Sequence, residues 1–234
     1  MRLTAPAKLT VSLRITGVRD DGFHVIDAEM VSLDLADELT VTEGDGIVLS
    51  GPFAHGVVTG PGNLVAKALA AADLTAAVHI VKNIPAGGGL GGGSSDAAAV
   101  LRWAGVDDVD VAVRLGADVP FCLRGGRARV TGIGERVRRL PFEARTFTLA
   151  LPGYGCDTAA VYRAWDELGG PRADGPNDLE PAALRVAPGL ARFRDDLGDA
   201  TGETPILAGS GSTWFVPGAH PGPGRIVAHT TQGS

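Results

Sequence analysis

A glycine-rich run in the middle of the chain carries the strongest chemical signal in the sequence. Residues 85–96 read Pro-Ala-Gly-Gly-Gly-Leu-Gly-Gly-Gly-Ser-Ser-Asp, and a helix-forming stretch that starts with three alanines follows at once. Glycines leave backbone N–H groups free to turn toward a ligand, and the positive end of the following helix dipole lies beside them. Both features attract anions, so the run predicts a phosphate-binding loop.

Three other interpretations of this loop fit less well. A Walker A loop needs a lysine directly before its serine or threonine, and Gly93 occupies that position. A dinucleotide-binding loop matches the spacing of three of the glycines, but the apolar run 77–81 ends too far before Gly87 for a strand that leads directly into the loop. A flexible linker would not explain why Leu90 interrupts the glycines. The spacing therefore favours a cradle for a nucleoside triphosphate.

Two charged residues could do chemistry beside the bound phosphates. Asp118 lies in the apolar segment 115–121, where a carboxylate is costly unless another group uses it or pairs with it. Lys8 lies in an alternating segment near the start of the chain and is a candidate partner. The residues alone leave two interpretations open. The pair could be a salt bridge that joins two segments, or a catalytic pair in which Asp118 accepts a proton.

Four segments resemble, in order along the chain, the motifs of the GHMP small-molecule kinases. They are residues 6–24, which begin Pro-Ala-Lys-Leu-Thr, residues 84–99 around the glycine loop, Leu115-Gly-Ala-Asp-Val-Pro-Phe121, and Leu207-Ala-Gly-Ser-Gly-Ser-Thr213. The triple-glycine form of the loop is similar to one branch of the family. That branch phosphorylates the 2-hydroxyl of 4-diphosphocytidyl-2-C-methyl-D-erythritol in the non-mevalonate route to isoprenoids.

The resemblance implies a kinase that uses ATP and Mg²⁺, and it assigns roles to residues. Asp118 would take the proton of the acceptor hydroxyl, while Lys8 would lower the pKa of that hydroxyl and stabilise charge on the transferred group. A hydroxyl of Ser94 or Ser95 would help to place Mg²⁺, with Ser95 as the expected ligand. The expected ATP-binding residues are Asn63, Pro85, Ala86, Gly87, Gly88, Gly89, Leu90, Gly91, Gly92, Gly93, Ser94 and Ser95.

Two residues near the loop have simpler interpretations beside the one that the resemblance implies. Asn63 matches an adenine contact of the family, but it also precedes a helix-forming segment and could act only as its N-cap. Asp96 could assist the metal, yet its position near the start of a helix favours N-terminal capping.

The resemblance also implies how the acceptor, a cytidine-diphosphate-linked sugar alcohol, would be held. The rings of Phe23 and Tyr162 would lie on either side of the cytosine base, and His24 would hydrogen-bond to it. Base stacking contributes ~1–3 kcal/mol, enough to select a nucleotide over a bare sugar alcohol. From the residues alone, each aromatic side chain could equally belong to a core, and the glycines near residue 210 could form a tight turn. The other expected substrate-binding residues are Thr10, Thr158, Gly209, Ser210 and Gly211.

The sequence departs from the family pattern in three places. Thr10 stands where the family usually has asparagine, which keeps a hydroxyl but loses the reach of an amide. Phe23 replaces the more usual tyrosine and drops a hydroxyl. The chain is also a short variant, with fewer residues before Asn63 and in its second lobe. These differences leave phosphoryl transfer as the expected chemistry and bear on the identity of the acceptor.

Composition restricts the remaining classes of function. The chain has 234 residues, of which 44% are hydrophobic, and 21 basic residues against 27 acidic ones leave a net charge of −6. A general attraction to nucleic acid or to an anionic membrane is therefore not expected. Six arginines within residues 124–139 keep one alternative open, a non-catalytic nucleotide- or RNA-binding module. The other alternative is a GHMP kinase with a mevalonate-like, homoserine-like or sugar acceptor.

The cysteines and the apolar runs indicate a cellular environment. Cys122 and Cys156 are far apart, without metal-binding spacing, so neither a disulfide framework nor a zinc site is expected. Apolar runs long enough for a secretory signal or a membrane span are not apparent. We expect a soluble cytoplasmic protein that is a monomer or a weak homodimer and binds a small molecule, not nucleic acid or a membrane.

The elements that must position these residues alternate between strands and helices, which predicts an α+β fold. The resemblance implies two lobes with the active site in the cleft between them. We expect an N-terminal kinase domain at residues 1–140, with the glycine loop and the Lys8 and Asp118 pair, and a smaller C-terminal domain at residues 141–234. Strands are predicted at 8–15, 29–35, 39–42, 47–50, 77–82, 146–151 and 225–230, with a strand–turn–strand at 205–216. Helices are predicted at 64–72, 95–104, 109–115 and 158–168, with helical pieces within 179–197.

Overall fold

A computed structural model describes residues 1–233, and these residues form the expected α+β fold. The strands are β1 (Arg2–Val18), β2 (His24–Thr42), β3 (Gly46–Ser50), β4 (Ala77–Val81), β5 (Arg127–Gly132), β6 (Arg136–Arg139), β7 (Thr146–Ala150), β8 (Ile206–Leu207), β9 (Trp214–Pro217) and β10 (Arg225–His229). The helices are α1 (Leu64–Ala71), α2 (Gly92–Trp103), α3 (Val109–Leu115), α4 (Val119–Arg124), α5 (Thr158–Glu167), α6 (Glu180–Val186) and α7 (Leu190–Thr201).

The first sheet is built around the long strand β2. Strand β1 pairs antiparallel along almost the whole of β2, from Arg2 opposite Thr40 to Val18 opposite His24. Strand β2 also pairs with β5 near its start and with β4 near its end, and β6 and β3 extend the sheet on either side. A register shift in β1 follows Thr10, at the point where this strand passes the site described below. The first sheet therefore carries one long hairpin from the N-terminus into the centre of the molecule.

The second sheet contains strands from the C-terminal part of the chain. Its order is β10-β7-β9-β8, and all neighbouring strands are antiparallel. One hydrophobic cluster combines Leu9 and Val31 of the first sheet with Leu149 and Phe215 of the second, so apolar burial holds the two sheets together. The division of the chain into domains at residue 140 stays a prediction, although the strands of the two sheets lie on opposite sides of Pro141 in the sequence.

Several helices and caps form at the residues for which the local sequence predicted them. Asn63 caps α1, since its side-chain oxygen accepts a hydrogen bond from the backbone N–H of Val65 at 2.8 Å. Helix α3 has the predicted bounds, and both cysteines are free and buried. None of the helices within residues 1–233 combines the length and apolar character that crossing a membrane requires.

The structure differs from the predicted elements in several places. Strand β1 extends beyond the predicted 8–15 at both ends, and strands β5 and β6 were not predicted. The runs 29–35 and 39–42 belong to the single strand β2, because Asp37 between them is fully buried and paired inside the protein rather than ending the strand. Helix α2 begins at Gly92, three residues before its predicted start. Helix α4 was not predicted; Pro120 is in its first turn, where the missing N–H of proline has no structural cost.

Candidate active site

A cleft of about 450 Å³ collects most of the residues singled out by the sequence. It lies where β1, the glycine loop before α2, the start of α4 and helix α5 face one another. The predicted site residues that line it are Lys8, Thr10, His24, Asn63, Pro85, Ala86, Gly87, Gly89, Gly91, Gly92, Gly93, Ser94, Asp118, Thr158, Tyr162, Gly209 and Ser210. The predicted site residues that do not line it are Phe23, Gly88, Leu90, Ser95 and Gly211.

The glycine loop takes its shape from alternating backbone conformations. Gly87, Gly89 and Gly91 have φ values of 70°, 78° and 67°, a region that side chains with a Cβ rarely adopt. Leu90 between them is fully buried and packs in the cluster shared by the two sheets. The leucine therefore anchors the loop to the core, while the glycines leave its backbone exposed to the cleft.

Gly91 is required by the lack of space beside Lys8 as well as by its backbone conformation. A Cβ on Gly91 would lie 2.6 Å from Cγ of Lys8, and the backbone N–H of Lys8 donates to the Leu90 carbonyl at 3.0 Å. Strand β1 is thus packed directly against the loop. Helix α2 starts at Gly92, so its free N–H groups and its dipole point toward the same cleft.

The two serines after the glycines face in different directions. Ser95 is buried, and its hydroxyl donates to the Pro6 carbonyl at 2.6 Å, which ties α2 to β1. Ser94 lines the cleft. The structure therefore does not bring the hydroxyl of Ser95, the expected metal ligand, to the phosphate side of the cleft, whereas it does bring Ser94 there.

Lys8 and Asp118 meet across the cleft floor. The Lys8 ammonium lies 3.2 Å from Oδ2 of Asp118 and donates to Oγ1 of Thr10 at 3.1 Å. The Lys8 side chain is 6% exposed, whereas that of Asp118 is 33% exposed and makes no capping hydrogen bond to α4. A carboxylate that is free of the helix end, partly open to the cleft and held by a buried cation can accept a proton from a ligand there.

A buried ionic cluster lies behind the glycine loop, and sequence reasoning missed most of it. The Lys82 ammonium contacts Oδ2 of Asp37 and lies 2.6 Å from Oδ2 of Asp96. The other oxygen of Asp37 accepts hydrogen bonds from the backbone N–H groups of Asn83 and Ile84, at 2.5 and 2.8 Å. We call Asp37, Lys82 and Asp96 the ionic triad. The ionic triad joins strand β2, the end of β4 and helix α2 at the base of the glycine loop.

The capping role expected for Asp96 was wrong. Its carboxylate lies five residues into α2 and points inward to Lys82, and α2 has no side-chain N-cap. Burial raises the pKa of Asp96 to about 7, although Lys82 acts in the opposite direction. Oδ1 of Asp96 has no hydrogen-bond partner among residues 1–233. The sequence signal for this cluster is a lysine directly after an apolar strand, at residue 82.

The end of the cleft at which the resemblance places the acceptor is formed by aromatic and imidazole rings. His24, at the start of β2, stacks on Tyr162 with ring centroids 4.7 Å apart and contacts Asp166 through Nε2 at 2.8 Å. Burial raises the pKa of the Tyr162 phenol. Phe23 is 56% exposed in the hairpin turn before β2. The structure brings His24 and Tyr162 together and leaves Phe23 outside the cleft, so a base held between Phe23 and Tyr162 stays a prediction.

The loop of the fourth motif lies opposite the glycine loop. The hydroxyls of Thr158 and Ser210 are 2.9 Å apart at the cleft wall. Asn177, which sequence reasoning missed, is buried and donates from Nδ2 to the carbonyls of Leu207 and Gly209 at 2.8 and 2.7 Å. This amide holds the loop in place, and the signal for it was the Asn-Asp pair before α6.

Four of the arginines between residues 124 and 139 make ion pairs with residues that the structure describes, namely Arg124, Arg127, Arg129 and Arg136. Arg127 lies 2.8 Å from Glu29, and Arg129 pairs with Asp27. The contact with Arg129 holds the pKa of Asp27 below its ordinary value. Because these charges are engaged with carboxylates, they do not favour the alternative of an RNA-binding module.

Comparisons with known proteins agree with this geometry. Residues 57–126 match the family described as GHMP kinases N terminal domain. The chain is 37% identical to the 4-diphosphocytidyl-2-C-methyl-D-erythritol kinase of Paracoccus denitrificans, over 92% of this chain and 85% of that protein. It is also 37% identical to the protein of the same name from Dinoroseobacter shibae, over 97% of this chain and 88% of that protein.

Two solved kinase structures superpose on this chain, and they differ in how similar their sequences are to it. A crystal structure of 4-(cytidine 5'-diphospho)-2C-methyl-D-erythritol kinase superposes with a TM-score of 0.77 at 32% identity, covering 98% of this chain and 99% of that one. A crystal structure of mevalonate kinase reaches a TM-score of 0.59 at 12% identity, covering 99% of both chains. The second similarity is one of fold alone.

Proposed function

The chain belongs to the family of 4-diphosphocytidyl-2-C-methyl-D-erythritol kinases within the GHMP kinases, and from this premise we propose its reaction. It transfers a phosphoryl group from ATP to the 2-hydroxyl of 4-diphosphocytidyl-2-C-methyl-D-erythritol, a step in the non-mevalonate isoprenoid pathway. The observation that carries this proposal is the meeting of the Lys8 and Asp118 pair with the open glycine loop in one cleft.

Binding of ATP is assigned to the half of the cleft around the glycine loop. Free N–H groups of the loop and of the first turn of α2 would hold the phosphates, with the helix dipole adding attraction. Asn63 lines the same half, but its two side-chain polar atoms are already bonded to Val58 and Val65, so an adenine contact from this side chain competes with the N-cap.

Proton transfer is assigned to Asp118. Transfer of a phosphoryl group needs alignment and charge neutralisation more than covalent help from the protein. The Asp118 carboxylate would take the proton of the acceptor hydroxyl, and the buried ammonium of Lys8 would stabilise the alkoxide that develops and the transferred group. Thr10 holds that ammonium through its hydroxyl, so threonine serves here in the place of the family's usual asparagine.

The donor groups at the phosphate side suit Mg²⁺. Ser94 and Asp118 present hard oxygen donors along one cleft, whereas the carboxylate of Asp96 is buried against Lys82. Magnesium usually keeps several waters and takes one or two protein ligands besides the phosphates. We assign Ser94, in place of Ser95, as the hydroxyl that would hold the ion, with Asp118 beside it. The ion would neutralise charge on the phosphates.

A coupled assay that follows ADP formation tests the proposed function. With ATP, Mg²⁺ and 4-diphosphocytidyl-2-C-methyl-D-erythritol, the purified protein should turn over and yield the 2-phosphate. Mevalonate, homoserine and a free sugar serve as competing acceptors in the same assay. Turnover of one of these and none of the cytidine compound would replace the proposed acceptor with that one.

A further inference from the structure

Helix α5 holds His24 at the acceptor end of the cleft. Nε2 of His24 lies 2.8 Å from Oδ1 of Asp166, a contact between residues 142 positions apart in the sequence. The ring packs against that of Tyr162 at a tilt of 38° and meets Trp165 edge-on, with centroids 5.5 Å apart. The His24 side chain is 10% exposed. Three side chains of one helix therefore fix both the position and the orientation of the imidazole.

The carboxylate of Asp166 decides which ring nitrogen carries the proton. An ionised carboxylate only accepts hydrogen bonds, so Nε2 must donate its N–H to Asp166. In the neutral ring, Nδ1 then bears a lone pair and acts as an acceptor. The contact with Asp166 is the one hydrogen bond that the His24 side chain makes within residues 1–233, and His24 lines the cleft. Nδ1 is thus left for a ligand.

We propose that Asp166 is a positioning residue that keeps His24 Nδ1 as an acceptor and thereby selects a cytosine over a uracil base in the substrate. This inference rests on the proposed function, which supplies the cytidine portion. The 4-amino group of cytosine donates hydrogen bonds, whereas uracil carries a carbonyl acceptor at the same place, as thymine does. A lone pair on Nδ1 bonds to the amino group and repels the carbonyl.

The size of the effect follows from the cost of a mismatched polar contact. Removing a partner that satisfies a buried polar group changes binding by about 5- to 150-fold. Loss of the Asp166 carboxylate frees the imidazole to adopt either tautomer. We therefore expect the preference for the cytidine substrate to fall by at least about 5-fold.

The kinetic test compares Asp166→Ala with the wild type on two acceptors, the cytidine substrate and its uridine analogue with the same sugar alcohol. The expected result is a lower ratio of kcat/KM for cytidine over uridine, arising through KM of the acceptor, with KM for ATP unchanged. Glu167→Ala is the matched control, because Glu167 is on the same helix, is 62% exposed and pairs with Arg185 on the surface. An unchanged ratio in Asp166→Ala would overturn the proposal.

A second measurement does not depend on turnover. Imidazole ¹⁵N NMR spectra at pH 8, with the His24 signals identified by a His24→Gln variant, report the tautomer directly. We expect the proton on Nε2 in the wild type and a mixture in Asp166→Ala. A wild-type ring protonated on Nδ1 would overturn the proposal. Absence of turnover with the cytidine substrate, together with the expected tautomer, would instead overturn the proposed function.

Discussion

The two halves of the cleft are formed by different chemical groups. The phosphate half consists of backbone N–H groups, a leucine with no exposed surface and an ionic triad that lies inside the protein. The acceptor half consists of side chains such as His24 and Tyr162, and exposed residues border it: Asp166 is 49% exposed and Phe23 is 56% exposed. The difference teaches that the proposed phosphate loop is tied into the core of this fold, whereas the proposed acceptor contacts come from side chains of helix α5 and the start of β2.

The largest expected effect lies where the two halves meet. Asp118→Asn removes the proton acceptor but keeps the shape of the side chain, so kcat should fall by ~10²–10⁴-fold. The fold should be retained, because the carboxylate is one-third exposed and does not cap α4. The coupled assay measures the rate, and a thermal melt serves as the control for folding. A kcat equal to that of the wild type would remove Asp118 from the mechanism.

A large loss of stability is expected in the phosphate half. Lys82→Met leaves the buried carboxylates of Asp37 and Asp96 without their cation, which should lower the free energy of unfolding by about 3–5 kcal/mol. Urea unfolding followed by circular dichroism measures this change. Arg185→Met breaks a pair with Glu167 on the surface and should cost less than about 1 kcal/mol. Equal losses in the two variants would contradict a structural role for the ionic triad.

A smaller effect on substrate binding is expected in the acceptor half. Tyr162→Leu keeps an apolar side chain but loses a ring for stacking, so KM for the acceptor should rise by about 5- to 150-fold, with KM for ATP unchanged. Phe23→Leu should raise the same KM less, because the exposed Phe23 ring must first be ordered against the base. A change in KM for ATP of equal size in Tyr162→Leu would show that the two halves are not separate.

The last expected effect concerns how the free energy of unfolding depends on pH. The pKa of Asp96 rises from its ordinary value of 3.8 to about 7 in the folded protein. Between these values the folded protein holds a proton that the unfolded chain has lost. The contribution of Asp96 to stability is therefore complete below about pH 4 and is lost as pH rises toward 7, at up to ~1.4 kcal/mol per pH unit.

Asp96→Asn tests this linkage because asparagine does not titrate. Urea unfolding at several values between pH 5 and 7 should show a flatter decline of the free energy of unfolding than in the wild type. Asp195→Asn, at a side chain that is 59% exposed, should keep the slope of the wild type. Identical slopes in the wild type and in Asp96→Asn would mean that Asp96 stays ionised in the folded protein.

The parts of the molecule that the sequence predicted well depend on neighbouring residues. The glycine loop, the cap at Asn63 and the bounds of α3 follow from backbone freedom and side-chain hydrogen bonds within a few positions. The pairing of Lys8 with Asp118 was predicted from the apolar setting of Asp118, and the sequence left open whether the pair is a structural salt bridge or a catalytic pair.

The parts that sequence reasoning missed depend on distant residues. Asp37 looked like a break between two strands, since its partner Lys82 is 45 residues away. Asp96 looked like a cap, because a carboxylate near a helix start usually is one. Similarly, the Asn-Asp pair marks Asn177, but the carbonyls that its amide holds, those of Leu207 and Gly209, lie 30 and 32 residues further along the chain.

The amino-acid sequence by itself determined the glycine loop, the fold class and the family, because each rests on short motifs with strong conformational preferences. Only the tertiary structure decided which charges face one another inside the protein and which serine hydroxyl reaches the cleft. It also showed that His24 is held by Asp166. The physical reason is that backbone preference acts over a few residues, whereas burial and charge pairing act over distances that only the folded chain brings within a hydrogen bond.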